Sequence, residues 1–259
     1  MMRKKAARAT PSIQSLARGL SILEAVADAA EPVPLKRLTD LLGIDRSSVF
    51  RLANTLKQRR FLSNPDGRKD YILGPSAWRL SRKYGRSMLL THCHNFLRAL
   101  ATTTGETAHL AVREGDQALF LDHHVAVGRV VTVSGQTGEF VPLHCTAHGK
   151  ALIADFTAED LADLFKGAPL RAHARRSVTS LDRLAKICIK VAVDGVATDD
   201  GEFMEDLRCV AAPIRDQDGV IIASVGISAP ITRFPKSRYA PTARTVADVA
   251  AQISASLTN

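Results

Sequence analysis

Six side chains within one short span, Arg46, Ser47, Ser48, Phe50, Arg51 and Asn54, have the chemistry to meet nucleic acid. An arginine fork can grip a guanine edge or a phosphate through two parallel hydrogen bonds, and serine and asparagine can donate or accept on the same surface. Arg68 and Lys69 add two cations further along. Elsewhere His92-Cys93-His94, His123-His124 and His144-Cys145-His148 place soft donors in small groups, of the type that ligates zinc. Cys209, with His144 or His148 as base and Asp199 to orient it, is the set a thiol nucleophile would need.

The first group is usable only if one element presents it to one side. Leu35 to Leu42 reads as an amphipathic helix ended at Gly43, which can take the left-handed conformation that stops a helix. Asp45 is placed to cap a second helix by accepting from its first free N–H groups. Val49, Leu52, Ala53 and Leu56 then fall at helical spacing and leave the six residues above facing outward. This is the pattern of a helix-turn-helix whose second helix offers a polar, basic face to a DNA major groove. Phe61-Leu62-Ser63 and Tyr71-Ile72-Leu73 read as short strands, and the Asn, Pro, Asp and Gly between them mark a turn. A hairpin straight after a recognition helix is a wing, with Arg68 and Lys69 at or near its tip. The alternative is an ordinary three-helix core with a charged face.

The charge distribution favours the first reading. Residues 1–90 hold 18 Lys and Arg against 7 Asp and Glu, a net +11, whereas residues 91–259 hold 17 against 19, a net −2. The basic field therefore belongs to the segment with the helix-turn-helix, and a phosphate backbone suits it through counterion release. A length of 259 residues fits one to two domains, and 46% apolar content lets each half bury a core. The four cysteines form no CxxC unit and no secretion signal precedes them, so reduced thiols in the cytoplasm are expected. The longest apolar run, around Gly219 to Pro230, is too short to span a bilayer, and no membrane partner is expected. Residues 1–11 read as a basic arm, disordered or reaching toward phosphates and a minor groove.

Ile13 to Ala29 is expected as the first helix, with Leu16, Leu20, Leu23, Val26 and Ala27 on its apolar face. Ser76 to Ala101 reads as one long helix, or two joined near Gly85. From Gly105 the period changes. Thr107 to Arg113, Gln117 to Val125, Arg129 to Ser134, Gly195 to Asp200, Arg208 to Asp216 and Val220 to Ser228 read as strands. Thr146 to Asp155, Thr157 to Lys166, Ser180 to Val193 and Ala240 to Leu257 read as helices, and Thr157 with Asp160 suggests a capping box. Strands with helices outside them make an α+β domain.

Several local motifs, in this order, then resemble the IclR family of bacterial transcription regulators over nearly the whole chain. They are Ser15-Leu16-Ala17-Arg18-Gly19-Leu20, Ser47-Ser48-Val49-Phe50-Arg51-Leu52 and Leu143-His144-Cys145-Thr146-Ala147-His148-Gly149-Lys150-Ala151. Asp199-Asp200-Gly201-Glu202, Cys209-Val210-Ala211-Ala212-Pro213-Ile214 and Gly226-Ile227-Ser228-Ala229-Pro230 follow. The resemblance implies a winged helix-turn-helix DNA-binding domain over residues 12–74, a linker helix over 75–103, and a GAF-like effector-binding domain over 104–259. It also implies a homodimer or dimer of dimers, a double-stranded DNA operator, and a small effector, often an organic or aromatic acid. Carried over position by position, the effector site falls on Ala147, His148, Asp199, Cys209, Gly226 and Ser228. The chain departs from the family's pattern twice: His148 is larger than the small residue common there, and Gly226 lacks a hydroxyl seen in some members.

The chemistry of these positions suits that role. Thr146 to Lys150 would open a helix whose unpaired N–H groups attract an anion such as a carboxylate. Asp199 and Ser228 suit a hydroxyl or carbonyl, Cys209 adds a soft contact, and Leu110, Leu143 and Leu207 are expected to line the walls. A turn or cap role for Asp199 and a core position for Cys209 are the alternatives. The expected function is transcription regulation, as a repressor rather than an activator, with operator binding controlled by the effector and no cofactor or catalysis. The rivals are a metal-responsive regulator using the His and Cys groups, a cysteine-dependent enzyme, and an RNA-binding module, for which no aromatic stacking platform is visible.

Overall fold

The structure, a computed structural model, describes residues 13–65, 69–84, 88–126 and 135–257. The chain divides into two compact units, Met1–Arg86 and Ser87–Asn259. The basic arm of residues 1–11, Arg68, the junction near Gly85 and the expected strand over 129–134 lie outside the described residues.

The first unit contains α1 (Gln14–Ala27), α2 (Leu35–Leu42), α3 (Arg46–Gln58), β1 (Leu62–Ser63), β2 (Ile72–Leu73) and α4 (Pro75–Tyr84). Ile22, Val26, Leu38, Val49, Ala53 and Leu62 build its core. The face of α1 corrects the expectation: Gly19, Ile22 and Val26 are buried, while Leu16 and Leu20 are 61% and 50% exposed and Ala27 is exposed. Two apolar stripes at helical spacing lie side by side on α1, and only the stripe with Ile22 and Val26 meets Leu38 and Val49. Gly43 ends α2 at φ +61°, its N–H bonded to the Thr39 carbonyl at 3.0 Å. Asp45 caps α3, its Oδ1 accepting from the Ser48 N–H at 2.9 Å. The hairpin pairs Leu62 with Leu73 and Ser63 with Ile72. An additional bridge between Val33 and Tyr71, which no sequence signal announced, anchors the wing to the segment before α2.

The second unit is a six-stranded antiparallel sheet with helices on both faces. Its strands are β3 (Thr107–Glu114), β4 (Gln117–His124), β5 (Phe140–Pro142), β6 (Ala197–Asp200), β7 (Leu207–Arg215) and β8 (Ile221–Pro230), in the order β5-β4-β3-β8-β7-β6. Its helices are α5 (Met88–Thr104), α6 (Ala147–Leu152), α7 (Ala158–Phe165), α8 (Leu181–Asp194) and α9 (Tyr239–Leu257). Alternation along the strands sends Leu110, Val210, Val225 and Ile227 to one face, against Leu97 and Leu100 of α5 and Val246 and Ile253 of α9. Ala197 and Ala211 face the other way and pack on Ala147 and Ala151 of α6 and Val191 of α8. Small residues there let α6 lie close to the sheet. Gly149 goes further: a Cβ on it would come within 2.3 Å of the Leu143 backbone. The capping box of α7 closes in both directions, Thr157 Oγ1 accepting from the Asp160 N–H and Asp160 Oδ2 from the Thr157 N–H. Strand β5 was not anticipated. The fold class is the expected α+β, a helix-turn-helix unit and an antiparallel sheet with helices. Among the described residues, no helix is long and apolar enough to cross a membrane.

Candidate nucleic-acid interface and ligand cavity

In the first unit a groove of about 910 Å³ runs between α3, the start of α2 and the wing. Arg46, Ser47, Phe50 and Asn54 of the expected set line it, with Lys69 of the wing. Phe50 is 52% exposed, a large apolar ring left on the surface beside cations. Ser48 and Arg51 lie beside the groove rather than in it, and are joined to each other by a hydrogen bond of 3.5 Å from Arg51 Nη2 to Ser48 Oγ. The Ser47 hydroxyl already donates to the capping Asp45 at 2.5 Å, which leaves its lone pairs for a second partner. That bond and those from Ser48 hold the Asp45 carboxyl well below the usual carboxylate range.

Two cations of the groove were missed, Lys36 and Lys57. Lys57 had a legible signal, because positions 46, 50, 54 and 57 fall on one stripe of a helix. At the wing base, Asn64 Nδ2 donates to the Asp70 carbonyl at 2.7 Å and closes the turn.

In the second unit the register of the sheet assembles a row of polar groups. Asp199 pairs with Cys209, Cys209 with Ser228, and Ser228 with Thr107, so four neighbouring strands present them side by side. Asp199, Cys209 and Ser228, with Phe120, Ala147, His148 and Leu207, line a cavity of about 30 Å³, room for one or two waters. The Cys209 thiol lies 3.3 Å from Ser228 Oγ. His148 is fully enclosed: Nδ1 meets Ser224 Oγ at 2.9 Å, and its ring stands edge-on to Phe120 and to His109. Among the described residues nothing meets His148 Nε2 in hydrogen-bond geometry.

Three expected members fall elsewhere. Leu110 points to the opposite face of the sheet, into the core with α5 and α9, because alternation leaves His109 and Ala111 on the cavity side. Leu143 packs in the cluster under α7 and α8 and against Gly149. Gly226 is not on the wall, and a Cβ there would come within 2.3 Å of the Val210 carbonyl, so close backbone approach explains the residue.

Burial sets the protonation states. It pushes the Asp199 carboxyl up to about 7, outweighing the bond from the Glu202 N–H and the attraction of Lys150. It pushes His148 down to about 3, and His109 well below its ordinary value, with His148 and His123 adding to the second shift. Both rings are therefore neutral at pH 7. Asp199 serves a turn as well as the wall, its Oδ1 accepting from the Glu202 N–H at 2.7 Å. Behind it Lys150 Nζ lies 2.6 and 2.7 Å from the two carboxylate oxygens of Glu202, with side chains only 2% and 15% exposed. That pair joins α6 to the turn after β6, and no local signal announced it.

The nucleophile arrangement does not form. Burial first, and then Asp199, raise the Cys209 thiol above its ordinary range, and its partner is Ser228 rather than a histidine. The grouping of His144 and Cys145 with His148 is also corrected, because His148 turns into the cavity and His173 takes its place beside the other two. His92 and His94 are exposed while Cys93 is buried in the core under α5.

The comparisons with known proteins agree on one family. Residues 83–255 match the model described as the bacterial transcriptional regulator IclR C-terminal domain, and residues 15–65 the IclR helix-turn-helix domain. The chain is 30% identical over 235 residues to the transcriptional repressor IclR of Escherichia coli strain K12, which covers 90% of this chain and 85% of that protein. It is similar in fold to an IclR transcriptional regulator from Alicyclobacillus acidocaldarius, with a TM-score of 0.82 at 20% identity, over 95% of this chain and 100% of that one. An IclR homolog from Microbacterium hydrocarbonoxydans complexed with 4-hydroxybenzoate gives a TM-score of 0.79 at 21% identity, over 94% of this chain and 98% of that one.

Proposed function

The chain belongs to the IclR family of DNA-binding transcriptional regulators, which are not enzymes, and on that footing we propose that it is a cytoplasmic repressor whose operator binding is controlled by a small organic or aromatic acid. What supports this is the presence, in one chain, of an exposed cationic groove and an enclosed polar cavity. Residues 12–74 read the operator, 75–103 link, and 104–259 receive the effector. Arg46, Ser47, Ser48 and Arg51 contact bases or phosphates, Phe50 packs against the backbone, Asn54 belongs to the same DNA-facing surface, and Lys69 and Arg68 of the wing reach phosphates or the minor groove. Two protomers pack through their N-terminal regions, where the exposed Ile13, Leu16 and Leu20 supply apolar surface. For a two-fold dimer the half-sites then lie roughly 34–36 Å apart, or a multiple of that.

The effector sits against Ala147 and His148, whose backbone N–H groups precede the first intrahelical bond of α6, with Asp199, Cys209 and Ser228 opposite. Ligand sites usually exceed roughly 300 Å³, so His148 and Phe120 must swing aside on binding. The effector moves operator occupancy only by its difference in affinity between the DNA-competent and incompetent states.

A labelled promoter fragment from beside the chain's own gene tests the first half. It should shift with a steep salt dependence. A thermal-shift series with 4-hydroxybenzoate and other small carboxylic acids tests the second, since a ligand of the native state raises the melting temperature. No shifted fragment even in dilute salt would refute DNA control, and no stabilising acid together with an unaltered promoter shift would refute acid control.

A further inference from the structure

We propose that His144, Cys145 and His173 form a binding site for a zinc-class divalent cation, separate from the polar cavity. Among the described residues they are a group whose donor atoms, one from each, all lie within 4.8 Å of one another. Two imidazoles and a thiolate are the donor set that suits zinc and cobalt and disfavours magnesium or calcium, which take oxygen ligands. Three protein ligands leave a fourth tetrahedral position for water, and exposed His173 puts that position at the surface.

The surroundings are arranged as they are around metal-binding histidines. His144 Nε2 lies 2.9 Å from the Arg171 carbonyl, so Nε2 carries the proton it donates and Nδ1 keeps a free lone pair. The backbone of His173 is pinned, because its N–H and that of Ala174 both donate to Ser177 Oγ at 2.9 Å, while Ser177 Oγ donates to the Glu202 carbonyl. Cys145 is held by its place directly before Thr146, the cap of α6. Two loops far apart in sequence thus bring the three donors within 4.8 Å of one another before any ion arrives, which lowers the ordering cost of binding. On binding, the sulfur–metal bond forms as the Cys145 thiol proton leaves to solvent, so one proton is released per ion. The ion would also brace the cavity wall, since Thr146 and Phe203 line it and the His173 ring lies 5.2 Å from that of Phe203. The site stands whether or not the cavity takes an acid.

The test is metal content. The full chain is stripped with chelator, dialysed against zinc or cobalt(II), and assayed by mass spectrometry and by the sulfur-to-cobalt charge-transfer absorption. Wild type should hold one ion per chain, undisplaced by excess magnesium. Cys145→Ser and His173→Ala should each weaken binding at least about tenfold and remove the charge-transfer band or shift the d–d bands. His92→Ala should change nothing. Exposed His173 can be removed without disturbing the core, so that variant keeps the test decisive. Wild type holding no stoichiometric zinc, binding that survives both substitutions, or equal loss in His92→Ala would overturn the proposal.

Discussion

The two units solve opposite problems with the same kinds of residue. In the first, Arg46, Asn54, Lys57 and Lys69 line one open groove that faces water. In the second, Asp199, His148 and Lys150 are buried, and burial changes their charge states or ties them to a partner. An exposed charge waits for a polyanion and costs the fold little. A buried one is held only where neighbours compensate for lost hydration. Changes in the first unit should therefore alter affinity and spare stability, and changes in the second should do the reverse.

The sharpest way to break that contrast is Lys150→Met. It strands the Glu202 carboxylate and should cost ~3 kcal/mol of stability in urea unfolding. Promoter affinity below the unfolding range should be unaltered, and equal loss of both would show that the units do not behave separately. Next in size, Arg46→Ala or Arg51→Ala should each cost ~1–3 kcal/mol of operator binding if it reads a base. Neither should move the melting temperature. Ser47 offers less, since its hydroxyl serves the Asp45 cap.

Asp199→Asn gives a smaller effect with a definite sign. The native carboxyl has its value raised from 3.8 to about 7, so the folded state holds a proton that the unfolded state has lost. Stability from this group is fully present below 3.8, falls as pH rises, and levels off above about 7. The variant lacks that loss, so its melting temperature relative to wild type should climb between pH 4 and pH 7. A flat difference would mean that Asp199 is charged throughout. Smallest of all, Lys57→Gln should lower the salt slope of promoter binding by ~1 if it meets a phosphate, with no change in base preference.

The units also differ in how much of them can be read from sequence. The helix-turn-helix is local: Gly43 and Asp45 mark its turn, and α2 and α3 end where those residues require. Even there the face of α1 misleads, since Leu16 and Leu20 look as apolar as Ile22 and only packing chooses between them. The cavity is non-local. Only the family resemblance gathers Asp199, Cys209 and Ser228 into one ligand site, and pairing across strands sets them abreast. Alternation alone would have moved Leu110 off the wall and put His109 near it. Nothing in the order of residues pairs Lys150 with Glu202, or brings His173 to His144 and Cys145, because loops fold back over tens of positions to do so.

That cross-strand row has a further bearing on how the receptor can change. Its members share a line only because β6, β7, β8 and β3 keep step, rung for rung. A slip of β7 by a single position against β8 would turn the thiol toward α5 and α9 and thrust an aliphatic chain among the polar groups. Exchanging one side chain on the line leaves the frame intact. Such a scaffold can trade one preferred guest for another by point replacement, while additions are confined to bends such as Asp216 to Gly219.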